Sequence, residues 1–410
     1  MKRRVVVTGM GLVSPVGNTV DESFKNLVLG KNGIDFITLF DASKDKVKIA
    51  GEVKHLNFED FIDKKEIKRA DRVTNMAMVA AHEAITQANF LNHTYNPFRI
   101  GTYIGSGIGG LTTILEETQT AVLRGQDRIS PFFIPNSIIN LIGAKIGIKY
   151  QAKGPNLPQV TACSAATNSI GEAFRAIRDG YLDAVITGGA EAPINLLGVG
   201  GFASLRALNI SNDPEQASIP FDARRSGFVV AEGAGILILE AYEHAMKRGA
   251  PIICEMVGYG TTADAFHMTA PDDEASGITE CLKQALQDAT IKPEDIDYIN
   301  AHGTSTILND KLETLGIKKA FGEHAYKLNI SSTKSMTGHA LGAAGAIETI
   351  TAIKALVTGD IPPTIHLEQP DPECDLNYTP NQSVHRDLHY VININIGFGG
   401  QNAAIIFKKV

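Results

Sequence analysis

Cys163 is the side chain whose type and position most clearly suggest chemistry. It lies in the segment TACSAATNSIGEAFRAIRDG, where small residues lead into a helical pattern. Ile170, Phe174 and Ile177 recur at spacings of four and three, which predicts one apolar helix face. The thiol should therefore lie near a helix N-terminus, where free N–H groups and the helix dipole favour an anion, lower the pKa and produce a nucleophilic thiolate. The simpler alternative is a buried cysteine that acts as a small apolar side chain.

Two histidines in the second half of the chain are candidates to work with this thiol. His302 follows the apolar run YINA in AHGTST, so it should point into a crevice at the end of a strand. His339 lies five residues after Lys334 in SSTKSMTGHALGAAG. One cysteine and two histidines near strand ends or helix starts are typical of a nucleophilic acyl-transfer site. Taken singly, His302 also fits a turn histidine bonded to its own loop. Lys334 also fits a solvated lysine, and His339 a helix-capping histidine.

Two further features are candidates to support such a site. Glu348 lies nine residues after His339, about two and a half helical turns further on, and a surface carboxylate is its alternative interpretation. The loop GFGGQN, residues 397–402, follows the apolar strand VININI and lacks the lysine and the spacing of a phosphate-binding loop. A backbone N–H beside Phe398 is instead suited to donate to an oxyanion.

The composition limits the class of protein. A chain of 410 residues suggests two or three domain-sized units, and 44% apolar with 20% charged residues is ordinary for a globular protein. The 45 acidic residues outnumber the 38 basic ones, and the net charge of −7 argues against broad nucleic-acid binding. The four cysteines lack CxxC spacing, so neither a metal site nor a disulfide framework is indicated, and a reducing, cytoplasmic location is expected. The N-terminus lacks a signal-peptide pattern, and apolar runs such as 236–239 are too short to span a membrane.

Alternating strands and helices are predicted along the chain. The predicted strands are Val5–Thr8, Ile100–Ile104, Ala184–Thr187, Ile236–Leu239, Tyr298–Ala301, Ile330–Ser332 and Val391–Ile396. The predicted helices are Val73–Ala88, Ser169–Arg178, Ala241–Arg248, Gly277–Asp288, Lys311–Phe321 and Ala343–Leu356. Several strands are continuous apolar runs of the kind that is buried on both faces. The alternation predicts an α/β fold with a mostly parallel sheet.

A faint internal repeat relates the two halves of the chain. In the first half, Cys163 is followed by small residues, an aliphatic helix and Asp179-Gly180. In the second half, Gly338-His339 is followed by LGAAGA, a helix and Gly359-Asp360. Either two unrelated helices both begin with alanine-rich segments, or a duplicated unit places equivalent helix starts at one site.

Specific motifs follow one another in order over nearly the whole length. They are VVVTGMGLVSPVGN, GSGIGG, SPFFIPNS, TACSAATNS, GGAEAP, GFVVAEGAG, AHGTST, SSTKSMTGHALGAAG, PPTI, ECDLNY, GFGGQN and NAAIIFKK. By these motifs the chain resembles the β-ketoacyl-acyl carrier protein synthases, the type II elongating enzymes of the thiolase superfamily. The resemblance implies a homodimer and a thiolase-type fold, in which two similar α/β halves form a layered α-β-α-β-α core. The cysteine would belong to the half 1–250, and the histidines and the lysine to the half 251–410.

The resemblance also implies a reaction and a role for each matching position. The catalytic positions are Cys163, His302, His339, Lys334, Glu348 and Phe398. The cysteine would hold an acyl chain that undergoes a decarboxylative Claisen condensation with malonyl-acyl carrier protein, so that a fatty acid grows by two carbons. The histidines would bind the malonyl carbonyl and stabilise the enolate formed as CO₂ leaves, with the lysine and the carboxylate as electrostatic support. The backbone N–H groups of the cysteine and of the phenylalanine would form an oxyanion hole, and the phenylalanine ring would move when the cysteine is acylated.

Substrate-binding positions come from the same resemblance. Thr304 and Thr306 match hydroxyls that bind the phosphopantetheine arm of acyl carrier protein, so no permanently bound cofactor is implied. Ile108 matches the lining of the acyl pocket, Phe202 lies near the mouth of that pocket, and Phe133 would reach the pocket of the partner subunit. Ordinary core packing is the alternative for all three apolar side chains.

A local cluster of basic residues is the candidate docking surface for acyl carrier protein. Its members are Lys64, Lys65, Lys68, Arg69 and, by the resemblance, Arg206 near the active-site entrance. Acyl carrier proteins are strongly acidic, so a basic patch on an acidic chain would steer their encounter. A solvated helix face is the alternative.

The chain departs from the family pattern at a few positions that bear on chain-length preference and loop motion. Directly after the cysteine, Ser164-Ala165-Ala166 stands where many relatives have Thr-Gly or Ser-Gly. Ser226 stands where relatives frequently have an aspartate, Ala231 where they have a glycine, and Ile307 where they have a proline. Three other functions stay open. A polyketide-type ketosynthase would share every catalytic residue, a non-catalytic chain-length factor would lack Cys163, and a thiolase would carry a second catalytic cysteine near the C-terminus.

Overall fold

The elements of the chain are defined by a computed structural model, which describes residues 2–92 and 95–410. The strands are β1 Val5–Val13, β2 Asp35–Phe36, β3 Ile49–Ala50, β4 Ile100–Gly105, β5 Ala184–Glu191, β6 Gly233–Ala241, β7 Cys254–Ala263, β8 Tyr298–Asn300, β9 Asn329–Ser331, β10 Asp360–Ile361, β11 Val384–His385, β12 Tyr390–Gly397 and β13 Gln401–Lys408. The helices are α1 Val20–Val28, α2 Lys64–Ile67, α3 Arg72–Gln87, α4 Leu111–Arg124, α5 Phe133–Ser137, α6 Asn140–Tyr150, α7 Ala165–Arg178, α8 Leu196–Ser204, α9 Tyr242–Lys247, α10 Ser276–Ala289, α11 Ile307–Phe321, α12 Lys334–Thr337 and α13 Ala344–Thr358. Every predicted strand and helix overlaps one of these elements.

Nine of the strands form one sheet in the order β4-β5-β6-β1-β7-β13-β12-β8-β9. Only the pairs β4–β5, β12–β8 and β8–β9 are parallel, so five of the eight neighbouring pairs are antiparallel and the prediction of a mostly parallel sheet is wrong. The reason is that one strand in each half, β6 or β13, lies reversed between two strands that run the same way. Buried apolar runs identify such strands but do not reveal their direction.

Three apolar clusters divide the molecule into five layers. The first cluster is built from α7 and α13 together with strands of both halves of the sheet. The second packs α3 and α6 against the outer face of β4, β5 and β6, and the third packs α10 and α11 against the outer face of β8, β12 and β13. The α-β-α-β-α arrangement of a thiolase-type fold is therefore confirmed, and it buries α7 and α13 at the centre.

The two halves of the sheet repeat one another. From one outer edge towards the centre, the strand order is β4-β5-β6-β1, and from the other edge it is β9-β8-β12-β13-β7. The strands β8, β12, β13 and β7 correspond to β4, β5, β6 and β1, because the first two of each set are parallel and the third is reversed between its neighbours. Ala162 and Leu341 have φ values of 50° and 46°, and each opens a 3-10 turn that leads into α7 or α13. Both helices are followed by a glycine with φ of 84°, Gly180 and Gly359. The internal repeat is thus confirmed, and because the two turns contact each other, the start of α7 meets the start of α13.

Among the described residues, one segment is long and apolar enough to cross a membrane. It is Leu341–Thr358, which comprises α13 and its preceding turn, and 83% of it is buried inside the fold. The expectation that every apolar segment is too short is therefore wrong for this one, whose apolar character is explained by its place in the central layer.

Candidate active site

A cavity of about 380 Å³ lies where the starts of α7 and α13 meet. Its walls include the four predicted side chains that could react or bind a reacting group: Cys163, His302, His339 and Phe398. Four predicted substrate or docking residues also line it: Thr304, Thr306, Phe202 and Arg206. Long stretches of chain separate these residues, so their meeting is a result of the fold.

Cys163 lies in the 3-10 turn Ala162–Ser164 and is only 7% exposed. The GFGG loop packs directly on this turn, since a Cβ on Gly397 would lie 2.7 Å from the Thr161 carbonyl oxygen and 3.2 Å from the Cys163 nitrogen. This close approach needs glycine, and it brings the backbone N–H of Phe398 near enough to the Cys163 sulfur to favour its thiolate form. Two backbone N–H groups, those of Cys163 and Phe398, are therefore close to the reacting sulfur.

The electrostatics of the thiol differ from the sequence prediction. Burial raises the pKa of Cys163 to about 12, with further increases from the Glu191 and Glu348 carboxylates, while Lys334 and the Phe398 N–H act in the opposite direction. The prediction of a lowered pKa is therefore wrong for the substrate-free protein. Loss of hydration outweighs the helix N-terminus because the turn lies in the central layer rather than at the surface.

His302 follows β8 in a buried loop whose backbone is held by a carboxylate. The N–H groups of His302 and Gly303 donate to Glu313 on α11 at 2.6 and 2.7 Å. Glu313 is fully buried, and burial raises its pKa to about 7. The sequence reasoning missed Glu313 because a glutamate within a helix is usually on its solvated face.

His339 is positioned by strand-like bonds to the segment before β6. Its N–H donates to the Val229 carbonyl at 2.7 Å, and its carbonyl accepts from the Ala231 N–H at 2.9 Å. The ring lies edge-on to the His302 ring and to the Phe228 ring, with centroid distances of 5.2 Å in both cases. The two imidazoles therefore sit side by side in the cavity wall.

Both imidazoles are kept neutral by their surroundings. Burial, followed by the positive charge of Lys334, holds the pKa of His302 and of His339 well below its usual range, and His339 contributes further to the shift of His302. A neutral imidazole carries one N–H donor and one acceptor nitrogen. Each ring can therefore donate a hydrogen bond to a substrate oxygen without adding a proton to the site.

Lys334 and Glu348 form a buried ion pair behind His302, with side chains 1% and 3% exposed. The Lys334 ammonium also donates to the His302 carbonyl at 2.6 Å and lies 3.4 Å from His302 Nδ1. Asn395 on β12 donates to Glu348 at 2.7 Å, and its amide nitrogen is likewise 3.4 Å from His302 Nδ1. Since Nδ1 faces two donors, it is the acceptor nitrogen, and the proton of this ring is on Nε2.

Asn395 is a further residue that sequence reasoning missed. Its carbonyl oxygen accepts from Thr167 on α7 and from the Asn393 amide, which leaves its nitrogen free to donate towards Glu348 and His302. The alternation of asparagine with isoleucine in VININI was the available signal, because an asparagine in a strand buried on both faces needs hydrogen-bonding partners.

The predicted substrate residues fall into two groups. The Thr304 and Thr306 hydroxyls are 2.9 Å apart in the cavity wall, and the Phe202 ring packs edge-on against Phe228. Ile108 is outside the cavity lining but packs in the apolar cluster that contains Cys163. Phe133 is half-buried on α5 and does not line the cavity.

The predicted docking residues also separate. Arg206 is exposed in the cavity wall, whereas the basic cluster lies on and just after α2, outside it, and consists of the exposed residues Lys64, Lys65, Lys68 and Arg69. Two lysines of α6, missed by sequence reasoning, hold this segment: Lys145 donates to the Arg69 carbonyl at 2.6 Å and Lys149 to the Phe61 carbonyl at 3.1 Å.

Two departures from the family pattern lie at the cavity. The Ser226 hydroxyl accepts from the Asn209 amide at 3.0 Å. Ile307 is 60% exposed at the cavity wall and is the first residue of α11, so this helix begins four residues earlier than predicted. Ala231, Ala165 and Ala166 are fully buried.

Comparison with known proteins agrees with this architecture. Residues 2–245 match the family model described as Beta-ketoacyl synthase, N-terminal domain, and residues 253–368 match Beta-ketoacyl synthase, C-terminal domain. The chain is 50% identical over 410 residues to the 3-oxoacyl-(acyl-carrier-protein) synthase 2 of Synechocystis sp., covering 100% of this chain and 98% of that protein. It is 49% identical over 407 residues to the synthase of the same name from Staphylococcus aureus, covering 99% and 98%.

Solved structures of ketosynthases superpose over the whole chain. The ishigamide ketosynthase/chain length factor gives a TM-score of 0.93 at 33% identity, and a β-ketoacyl synthase from Burkholderia phymatum gives 0.92 at 33%. A type II polyketide ketosynthase in complex with its acyl carrier protein gives 0.92 at 34%. All three comparisons cover 100% of both chains. The chain therefore belongs to the β-ketoacyl synthase family.

Proposed function

We propose that this chain is a 3-oxoacyl-(acyl-carrier-protein) synthase, an acyltransferase that elongates fatty acids by decarboxylative Claisen condensation. The observation that carries the proposal is the cavity in which one thiol, two neutral imidazoles and two backbone N–H donors meet. Identities of 49–50% to synthases of this name over nearly the whole chain support the same substrate class.

In the first half-reaction, Cys163 would attack the thioester carbonyl of an acyl chain delivered on phosphopantetheine. The tetrahedral oxyanion would accept hydrogen bonds from the N–H groups of Cys163 and Phe398, and preorganised donors of this kind supply a large share of catalysis. The carrier thiol leaves with the proton that the cysteine gives up. A neutral thioester then replaces a thiol whose ionisation is opposed by burial, so the acyl-enzyme suits this apolar site.

In the second half-reaction, the malonyl thioester carbonyl would lie against the Nε2–H of His302 and the ring of His339. Loss of CO₂ leaves an enolate, and two donors at its oxygen stabilise the developing charge. The enolate carbon then attacks the acyl carbonyl and forms the carbon–carbon bond, which gives a tetrahedral oxyanion. Collapse of this oxyanion breaks the bond to the Cys163 sulfur, and the released thiolate takes up a proton from water that enters the open cavity, which restores the thiol. Lys334 and Glu348 would hold His302 in the required tautomer from behind.

The substrate residues fit two ends of one path. Thr304 and Thr306 would bind the phosphopantetheine arm in the open part of the cavity, while Ile108 and Phe202 would border the acyl chain beyond Cys163. Acyl groups arrive on acyl carrier protein, and we propose no permanently bound cofactor. The halves 1–250 and 251–410 would form one catalytic unit, because each contributes side chains to the cavity.

A homodimer is part of the proposal, with Phe133 reaching the partner's acyl pocket. Large apolar side chains on α4 and around α5 support it, since they are exposed in the single chain: Val122 by 78%, Leu123 by 80%, Ile134 by 58% and Ile138 by 43%. The helices α4 and α5 contact each other, and large exposed apolar side chains grouped on neighbouring elements are typical of an interface. We also propose a cytoplasmic location and docking of acyl carrier protein at Lys64, Lys65, Lys68, Arg69 and Arg206.

Mass spectrometry of the protein after incubation with long-chain acyl carrier protein tests the proposal. An acyl adduct is expected on Cys163, and Cys163→Ala should form none. His302→Ala and His339→Ala should still be acylated but should lose condensation with malonyl-acyl carrier protein by at least about 100-fold. Condensation retained by both histidine variants would reject the assigned roles.

A polyketide-type ketosynthase is the second candidate, since a type II polyketide ketosynthase superposes on this chain with a TM-score of 0.92. The two candidates differ in what happens after one condensation. A fatty-acid synthase of this type extends a fully reduced acyl chain once, whereas a polyketide enzyme extends an unreduced β-keto chain repeatedly. Product analysis with saturated and β-keto acyl carriers distinguishes them.

A further inference from the structure

Glu191, at the end of β5, is a buried carboxylate without a cationic partner among the described residues, and only 1% of it is exposed. Oε1 accepts from the Ser106 hydroxyl at 2.9 Å and from the Ile108 N–H at 3.1 Å. Oε2 accepts from the Gly107 N–H at 2.6 Å and from the Gly342 N–H at 3.0 Å. Each carboxylate oxygen thus has two donors.

These donors belong to two segments that are far apart in the chain. Ser106, Gly107 and Ile108 form the loop after β4, while Gly342 belongs to the turn that leads from His339 into α13. The two segments touch, since a Cβ on Gly342 would lie 2.3 Å from the Gly107 nitrogen and 2.5 Å from Glu191 Oε2. Glu191 therefore fastens the loop of one half of the molecule to the turn of the other.

The loop and the turn both border the nucleophile. Ile108 and Leu341 belong to the apolar cluster that contains Cys163, and Leu341 also lines the cavity. A small displacement of either segment would change the space beside the sulfur in which an acyl chain must lie.

A carboxylate suits this position better than a neutral side chain of the same shape. Its two oxygens accept four hydrogen bonds, whereas a glutamine has one acceptor oxygen and would turn its NH₂ group towards two other donors. Burying a charge without a cation is unfavourable, and the four donors offset that cost. Burial raises the pKa of Glu191, and the hydrogen bonds from Gly107, Ser106, Ile108 and Gly342 oppose this shift.

We propose that Glu191 is a positioning residue that holds the Ser106–Gly109 loop, and with it Ile108, against the Leu341–Gly342 turn, and so sets the shape of the acyl pocket beside Cys163. This inference rests on the proposed function, because it concerns how that enzyme accepts long acyl chains. Glu191 touches neither the malonyl site nor the reacting atoms.

Acyl transfer from carriers loaded with a short or a long saturated chain tests the proposal. In Glu191→Gln, kcat/KM for the long-chain donor should fall at least about tenfold more than for the short-chain donor, since a misplaced Ile108 obstructs only a long chain. Removing the negative charge should also lower the pKa of Cys163, so the variant should be alkylated faster by iodoacetamide at a fixed pH. A merely structural role would lower kcat/KM for both donors alike and leave the donor ratio unchanged, whereas faster alkylation follows from the lost charge in either case.

Two further variants complete the experiment. Glu240→Gln is the control for the loss of a buried carboxylate, since Glu240 is a fully buried residue of β6 that lies outside the cavity, where it accepts from Thr8 and pairs with Arg248. It should leave the donor ratio unchanged. Ser106→Ala removes one of the four hydrogen bonds to Glu191 but keeps the negative charge. It should shift the ratio of kcat/KM between short-chain and long-chain substrates in the same direction, even if Glu191→Gln does not fold.

The outcomes separate this inference from the proposed function. If the unmodified protein elongates both acyl donors and the variants lose activity towards both to the same extent, the positioning role is wrong and the proposed function stands. If the unmodified protein condenses neither donor with malonyl-acyl carrier protein, the proposed function and the positioning role both fail.

Discussion

Lys334→Met should lower the free energy of unfolding by about 3–5 kcal/mol, because it leaves the Glu348 carboxylate buried without its cation. Both side chains are almost fully buried, so water cannot replace the lost partner. The ammonium also donates to the His302 carbonyl at 2.6 Å, which adds about 1 kcal/mol for the lost hydrogen bond. The expected loss is therefore at the upper end of this range.

A double-mutant cycle separates the ion pair from the rest of the network. Glu348→Gln should cost a similar amount, since it leaves a buried ammonium. The double variant Lys334→Met/Glu348→Gln carries neither charge and should lose only about 1–3 kcal/mol in total, because removing both partners leaves no unpaired charge. The coupling energy between the two positions should then be at least about 3 kcal/mol.

Urea unfolding followed by circular dichroism measures the stability, and condensation is measured on enzyme already acylated at Cys163. The double variant should recover stability but not condensation, because His302 still lacks the ammonium that holds its carbonyl and faces Nδ1. The exposed pair Lys54–Asp35 is the control, and Lys54→Met should cost less than about 1 kcal/mol. Additive losses in the cycle, or recovered condensation in the double variant, would refute the reasoning.

Three other outcomes are expected. Alkylation of Cys163 by iodoacetamide should rise about tenfold per pH unit from about pH 7 to about pH 10, because burial raises the pKa of the thiol to about 12, and a plateau below about pH 9 would contradict this. His302 and His339 have a depressed pKa in the folded protein, so the unfolded chain binds more protons than the folded one at acidic pH. The free energy of unfolding should therefore fall by up to about 1.4 kcal/mol per pH unit per histidine as the pH drops below about 6.5. Urea unfolding of the double variant His302→Ala/His339→Ala should show a flatter slope, and an unchanged slope counts against neutral buried rings. Lys65→Glu should raise KM for the carrier-bound substrate and leave KM for a small acyl thioester unchanged. The control is Lys292→Glu, because Lys292 is exposed and precedes β8, at the end of that strand opposite His302. Equal effects of Lys65→Glu on both substrates would exclude docking at this surface.

Local patterns in the chain were enough to locate half of the strands and helices, among them most of the long buried ones, and the reactive residue types. Spacings of four and three identified α7, although its first turn begins at Ala165, before the predicted start at Ser169. Apolar runs identified β1, β4, β5 and β12, but β7 and β13 were missed, β7 because glycine and threonine interrupt its apolar residues. Such signals depend only on side chains a few positions apart, so they predict helices and strands well and strand directions poorly.

Motifs in the chain also placed Cys163 at a helix start and His302 at a strand end, and the order of the motifs by itself indicated the family. Only the tertiary structure brought these side chains to one cavity, and it placed Glu313, Asn395 and Glu191 around that cavity as buried support outside its lining. It also reversed the expected shift of the cysteine pKa. Hydration is lost through packing between segments more than a hundred residues apart, and a local pattern carries no measure of that loss.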